Sequence, residues 1–201
     1  AQIAITNGKG GGRGKKTSVP STHFLLRGGE YNIPVEANDQ FLWHYAVQVL
    51  QEEECTLVER RTNYFRYHLD FDFNDTKPIS LSEFKEYVKV VQDVLHIFYP
   101  RSENIFFECT VSMAETKEIP PKVIGSPPLI KSGFHVIFHN IWVDADKALA
   151  IRAYLITKIR SQFGKRDINI VNDWEDIVDE SIYIKNGLRM IGSVKYVIFP
   201  C

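Results

Sequence analysis

Residues 67–73 read Tyr67-His68-Leu69-Asp70-Phe71-Asp72-Phe73, an unbroken alternation of apolar and polar side chains. Successive side chains of a strand point to opposite faces. Tyr67, Leu69, Phe71 and Phe73 therefore line a core face, and His68, Asp70 and Asp72 line the other. Two carboxylates at i and i+2 stand about 7 Å apart at their Cα atoms. They repel one another unless a cation lies between them. Mg²⁺ or Mn²⁺ would make the pair a hard-oxygen site. The alternative is the solvated polar face of an edge strand, since a two-acid motif this short also arises by chance.

Further along, Lys131-Ser-Gly-Phe-His135-Val-Ile-Phe138 alternates in the same way. Phe134, Val136 and Phe138 face the core, while Gly133, His135 and Ile137 share the opposite face. A lone strand histidine is commonly a hydrogen-bonded structural residue. Here it follows a glycine by two positions, which lets a ligand approach the backbone closely. With Lys131 at the strand mouth, the group suits a polyphosphate. A third stretch, Asp179 to Lys195, carries Arg189 and Lys195 at even spacing on one expected strand. Phosphate contact is one reading of that pair, and an ordinary solvated strand is the other.

The 201 residues hold 24 Lys and Arg against 25 Asp and Glu, with 44% hydrophobic and 12% aromatic side chains. That composition excludes wholesale disorder and collagen-like or coiled-coil architecture. It also denies any argument for nucleic acid from net charge, so such an argument has to be local. Cys55, Cys109 and Cys201 form no Cys-x-x-Cys pair, so neither structural zinc nor a disulfide framework is expected, and a reducing compartment fits best. No apolar run approaches the roughly 18 residues of a membrane span, and no signal peptide is visible at the first residue given.

Residues 1–20 are read as a flexible Gly/Lys-rich basic segment. Lys9, Arg13, Lys15 and Lys16 stand among its glycines without an acid. It is not a P-loop, because Gly14-Lys15 is followed by Lys16 and no glycine stands five residues before Gly14. Residues 21–201 then read as one domain, cut from a longer protein. A helix is expected from Asn38, strands at Thr56–Arg60 and Tyr64–Phe73, and a helix capped by Ser80 with Glu83 as its capping box. A strand at Asn104–Met113, a proline-bearing loop at Ala114–Ile130 and a strand at Gly133–Val143 follow. Asp144 caps a third helix that Gly164 ends, a short acidic stretch covers Asn172–Glu180, and a strand at Leu188–Phe199 closes the chain. The class is α+β, with helices on one side of a largely antiparallel sheet.

HLDFDF, KSGFHVIF and VDESIYIKNGLRMIGSVK, in that order, resemble the archaeo-eukaryotic primase superfamily. Within it the sequence is most similar to the primase domain of the primase-helicases of nucleocytoplasmic large DNA viruses, which are related to the eukaryotic primase-polymerases. The resemblance runs from about Tyr64 to Lys195, with Ser21–Pro34 a weaker match to the lead-in. It implies an RRM-like, mainly antiparallel catalytic core with flanking helices and an N-terminal α/β unit. It implies that Asp70, Asp72 and Asp179 are catalytic and hold two Mg²⁺ or Mn²⁺ ions, Asp176 and Glu180 being rivals for the third place. Lys131, Gly133, His135, Arg189 and Lys195 would bind the nucleotide. Many members have Ser where this chain has Gly133, with Ser132 one place earlier.

The function so implied is a nucleotidyltransferase that primes synthesis on a single-stranded DNA template from NTPs or dNTPs during viral DNA replication. A helicase domain would sit in the same polypeptide, no membrane would be involved, and the location would be an intracellular replication site in host cytoplasm or nucleus. Arg60, Arg61 and Arg66, with Tyr64 or Phe65 for stacking, are weaker candidates for template contact. Two competing readings are a non-catalytic RRM-like nucleic-acid module of a replicative helicase and a metal-dependent glycosyltransferase with an Asp-x-Asp motif. The second gives no reason for the KSGFH and NGLRMIGSVK matches. A metal-dependent nuclease is weaker still, because Glu108-Cys-Thr110 lacks the lysine that would follow its acid.

Overall fold

A computed structural model describes residues 21–51, 54–100, 107–184, 187–190 and 192–193. In chain order its elements are β1 (His23–Leu25), β2 (Glu30–Tyr31), α1 (Asn38–Leu50), β3 (Leu57–Glu59), β4 (Phe65–Asp75), α2 (Leu81–Phe98), β5 (Cys109–Met113) and β6 (Lys117–Ile119). After them come β7 (Leu129–Val143), α3 (Ala145–Phe163), the one-turn helices α4 (Trp174–Ile177) and α5 (Ser181–Ile184), and β8 (Leu188–Arg189). Every strand pairing between these elements is antiparallel, and helices accompany both sheets, so the α+β class holds. The chain divides into two compact units, Asn63–Ile184 and the flanking stretches Ala1–Thr62 with Lys185–Cys201.

The flanking unit carries a sheet in the order β2-β1-β3-β8. Its β1–β2 turn uses Gly28 and Gly29 at φ of 98° and 111°, a region that side chains other than glycine adopt at a cost. The Ser193 hydroxyl joins its parts. It donates to the Leu57 carbonyl at 2.8 Å, accepts the Leu57 N–H at 2.9 Å and lies 2.9 Å from the Tyr45 hydroxyl of α1.

In the Asn63–Ile184 unit the sheet order is β4-β7-β5, and β6 also pairs with β7. The alternation read from the sequence is what folds it. Tyr67, Leu69, Phe71, Phe73, Phe134, Val136 and Phe138 are fully buried on one face. Phe84, Val91 and Leu95 of α2 and Ala148, Ile151, Leu155 and Ile159 of α3 cover them. The Phe84 ring stacks on Phe134 with centroids 3.9 Å apart and meets Phe71 edge-on. α2 begins at the capping box expected of Ser80 and Glu83, and α3 begins where the Asp144 carboxylate accepts the Lys147 N–H at 2.8 Å.

Several expectations change. The Ala114–Ile130 segment is not all loop. β6 forms within it because Lys117–Ile119 pairs with Leu129–Lys131, so β7 starts at Leu129 and the four prolines stay in the connections. The acidic stretch is partly helical, as α4. His68 is the plainest correction. By register it stays in the row of the acids, opposite Ile137 as Asp70 is opposite His135, but it is buried instead of open. Its Nδ1 lies 2.9 Å from the Arg66 carbonyl and its ring packs on Phe65 and Tyr183. Phe65 is buried too, which removes it as a stacking surface. Of the strands expected at Asn104–Met113 and Leu188–Phe199, only Cys109–Met113 and Leu188–Arg189 are strand among the described residues. The basic segment 1–20 lies outside them.

Burial pushes the His68 pKa down from its ordinary value, as it does for His23 in the other unit. The unfolded chain takes up those protons near pH 6.5 while the folded chain resists, so the unfolded state gains protons as pH falls and stability is lost on acidification. Thermal melts at pH 7.5 and 5.5 are expected to show a lower midpoint at 5.5, and His68→Gln to flatten that difference. Phe84→Ala is expected to lower the unfolding free energy by about 3–5 kcal/mol in denaturant titration, as for large core truncations in general.

Candidate functional site

Because β4 and β7 each bury one side-chain row, their other rows share the opposite face of the sheet. The antiparallel register sets Asp70 opposite His135, Asp72 opposite Gly133 and Asn74 opposite Lys131. Ser112 of β5 stands opposite His135 on its other side. Five of the residues singled out in the sequence therefore meet on one patch. His135 Nε2 lies 3.3 Å from Asp70 Oδ1, and Lys131 donates to Asp72 Oδ2 at 2.6 Å. The Asp70 and His135 side chains are 16% and 20% exposed, those of Lys131 and Asp72 31% and 37%. The more exposed Lys131–Asp72 pair gains only about 0–1 kcal/mol.

Gly133 matters here for space. A Cβ at this position would lie 3.3 Å from Asp72 Oδ1 and 3.7 Å from the Ala114 Cβ. The neighbouring Ser132 points the other way. It is fully buried and its hydroxyl accepts the Ile79 N–H at 3.1 Å, so it offers nothing to the acid face.

Asp179 arrives from a separate segment that runs along the edge of β4 away from β7. Val178 forms an antiparallel bridge with Phe71, and the Asp179 N–H donates to the Asp70 carbonyl at 3.0 Å. The Asp179 carboxylate itself accepts the Ser181 N–H at 2.8 Å and the Ser181 hydroxyl at 2.6 Å. Asp176 is exposed on α4, and Glu180 accepts from Arg152. Asp179 is thus the acid of this stretch whose main chain is bonded to Asp70. Among the described residues, no three His, Cys, Asp or Glu side chains are grouped so as to hold a metal ion.

Arg189 belongs to β8 in the flanking unit, where it pairs with Val58, and Lys195 lies outside the described residues. Arg60 is engaged within the flanking unit, donating to Glu30 at 2.6 Å with its guanidinium over the Phe24 ring, and Arg61 is exposed there. Arg66 sits on the same strand as the acids, its guanidinium 5.6 Å from the ring centroid of Trp142, which is 57% exposed. Sequence reasoning missed Trp142, although it stands on the same strand as His135. It also missed Asn172 and Arg152. Arg152 had a legible signal, as a cation in the apolar stripe of Ala148, Ile151, Leu155 and Ile159.

Residues 22–200 match the family model described as C962R protein N-terminal AEP domain. Over 184 residues the chain is 22% identical to "Putative helicase L207/L206" of Acanthamoeba polyphaga mimivirus. That alignment covers 90% of this chain and 19% of the mimivirus protein, so the chain spans about a fifth of that relative. No described helix is long and apolar enough to cross a membrane.

Proposed function

Since the chain belongs to the C962R protein N-terminal AEP domain family, the archaeo-eukaryotic primase domains of viral primase-helicases, we propose that it makes primers on single-stranded DNA by nucleotidyl transfer from NTPs or dNTPs. The observation that carries this reading is the register of Asp70 and Asp72 against His135 and Gly133. It gathers acids, an imidazole, an ammonium and a side-chain-free backbone on one open face. Residues 21–201 would form one catalytic domain behind the basic segment 1–20.

Carboxylate oxygens are the donors that a hard divalent ion takes. Two carboxylates alternate on one face, with the Lys131 ammonium on Asp72 and the His135 ring beside Asp70, and a third carboxylate stands on the residue whose N–H reaches Asp70. Asp70, Asp72 and Asp179 would hold two Mg²⁺ or Mn²⁺ ions. When bound, the ions would supply acidification of the attacking 3′-hydroxyl and charge neutralisation for the leaving pyrophosphate. The chain's own part is positioning. Lys131 and His135 would turn from the carboxylates toward nucleotide phosphates, and Gly133 would let a phosphate approach the backbone. Arg189 and Lys195 would contribute further cations. No covalent intermediate with the protein is needed.

The name of the mimivirus relative supports a helicase region in the same polypeptide as this domain, and its place of action would be a replication site in host cytoplasm or nucleus. Template binding would use phosphate charge and base stacking, with Arg66 and Trp142 as the exposed pair on the sheet face that carries the acids. A second reading, the non-catalytic nucleic-acid module, draws on the Asp179 carboxylate being taken up by Ser181.

Purified Asp70→Asn and Asp72→Asn proteins are expected to melt near the wild type yet make no primers on a single-stranded circle with Mg²⁺ or Mn²⁺. Mn²⁺ should raise the melting midpoint of the wild type and not of either variant; at 100-fold above Kd the gain is about 2.7 kcal/mol. No upshift in the wild type would favour the non-catalytic module. Filter binding of a template strand should weaken steeply with salt, by about 0.7 log units per tenfold salt for each phosphate contacted. Arg66→Ala should reduce that slope by about one contact, and Trp142→Ala should cost about 1–3 kcal/mol of binding.

A further inference from the structure

Two buried side chains that no step above uses fasten the segment after α3 to β4 at the positions of the acids. The Asn172 amide accepts the Asn74 N–H at 2.9 Å and donates to the Asp72 carbonyl at 2.7 Å. One side chain thus supplies the donor and the acceptor that a neighbouring strand would offer, at Asp72 itself and two residues beyond. Six residues later the main chain takes over, with Val178 bridging Phe71 and the Asp179 N–H on the Asp70 carbonyl.

Arg152 of α3 holds this second attachment from behind. Its Nε donates to the Val178 carbonyl at 2.7 Å, its Nη2 to the Glu175 carbonyl at 2.7 Å and its Nη1 to Glu180 Oε2 at 3.1 Å. Val178 and Glu180 are the two residues flanking Asp179. A buried guanidinium is costly unless its donors are matched, and its planar fork is what matches three acceptors at once. An aliphatic residue would fill a helix stripe made of Ala148, Ile151, Leu155 and Ile159, so packing alone gives no reason for an arginine. The reason is in the acceptors it reaches.

We propose that Arg152 is a positioning residue for the metal-binding acids. By clamping Val178 and Glu180 it sets where Asp179 stands beside Asp70, and Asn172 does the same for Asp72 from the strand edge. The inference rests on the reading of Asp70, Asp72 and Asp179 as metal ligands and names the device that spaces them. A clamp that only braced the fold would change stability and leave the cation affinity of a folded variant alone.

The test is Mn²⁺ titration of the purified chain without nucleotide, followed by the electron paramagnetic resonance signal of the free ion, with a thermal melt of each protein. Arg152→Lys keeps the charge but not the fork, Asn172→Ser loses both bonds, and Asp70→Asn serves as the control for the site. Folded Arg152→Lys and Asn172→Ser are expected to bind Mn²⁺ about 10- to 100-fold more weakly, as is usual when the partners that orient a metal ligand are lost. Asp70→Asn should lose the binding. Unchanged affinity in folded Arg152→Lys, with binding lost in Asp70→Asn, overturns the positioning role and leaves the metal reading standing. Unchanged binding in Asp70→Asn overturns the metal reading and the inference with it. Failure of both clamp variants to fold would also overturn the inference, because the contacts would then be scaffold.

Discussion

The register of β4 on β7 is the constraint on which the acid patch depends. A strand repeats its faces every two residues, so a slip by one would turn Asp70 and Asp72 into the aromatic core and put Phe71 and Phe73 in water. Burying a large apolar side chain is worth about 1.5–3 kcal/mol and burying an unpaired carboxylate costs several, so both terms oppose that slip. A slip by two is different. It keeps every face and would merely set Asp70 opposite Gly133 and Asp72 opposite Lys131. Hydrophobic patterning does not distinguish these registers. Contacts specific to single positions do. The Ser132 hydroxyl takes the Ile79 N–H, the Tyr183 hydroxyl donates to the His68 carbonyl, and Asn172 grips β4 at Asp72 and Asn74.

Those contacts also answer a second problem, the edge of β4 away from β7. An edge strand leaves main-chain donors and acceptors open to any extended chain. Here the Asn172 side chain and the Asp179 main chain take three of them. The segment that delivers Asp179 is itself pinned by cations. Arg166 donates to the Asn172 carbonyl and to Asp75, Arg160 to Asp173 and Glu175, and Lys122 to the carbonyls of Ile168 and Val171. So many positive groups on one acidic stretch give it a single path beside the sheet. The third acid is consequently placed by long-range bonds, where the first two are placed by strand period alone.

That difference explains what could be read from the sequence. The alternation around Asp70 and around His135 dictated which faces they share, and it put Ser132 on the face opposite Gly133. The capping box at Ser80 and the cap at Asp144 are local and were equally legible. The row of His68 was legible but its burial was not, because strand period fixes a side chain's face and says nothing of what covers it, here the rings of Phe65 and Tyr183. β6 was invisible because three residues amid prolines become strand only when Leu129–Lys131 offers them a partner. Asn172 and Arg152 act on main-chain atoms of residues distant in sequence, and no local pattern announces such a bond. Arg152 alone left a trace, as a charge where its helix stripe calls for an aliphatic residue.

Gly133 ties these threads to chemistry. It lies within a strand, and what singles it out is crowding: a Cβ would press on Asp72 Oδ1 at 3.3 Å while Lys131 holds the other oxygen of the same carboxylate. A larger residue would have to move Asp72 against a lysine already in contact with it. Leaving the position bare keeps the carboxylate free to choose between that ammonium and another cation, and leaves a main-chain surface between Lys131 and His135. The chain has no hydroxyl there, since Ser132 spends its own on Ile79 in the core. An anion approaching this face meets the Lys131 ammonium, the His135 imidazole and the bare Gly133 backbone beside two carboxylates, so an intervening cation is what would let it close on the strand, with Ser112 across from His135 the hydroxyl at hand.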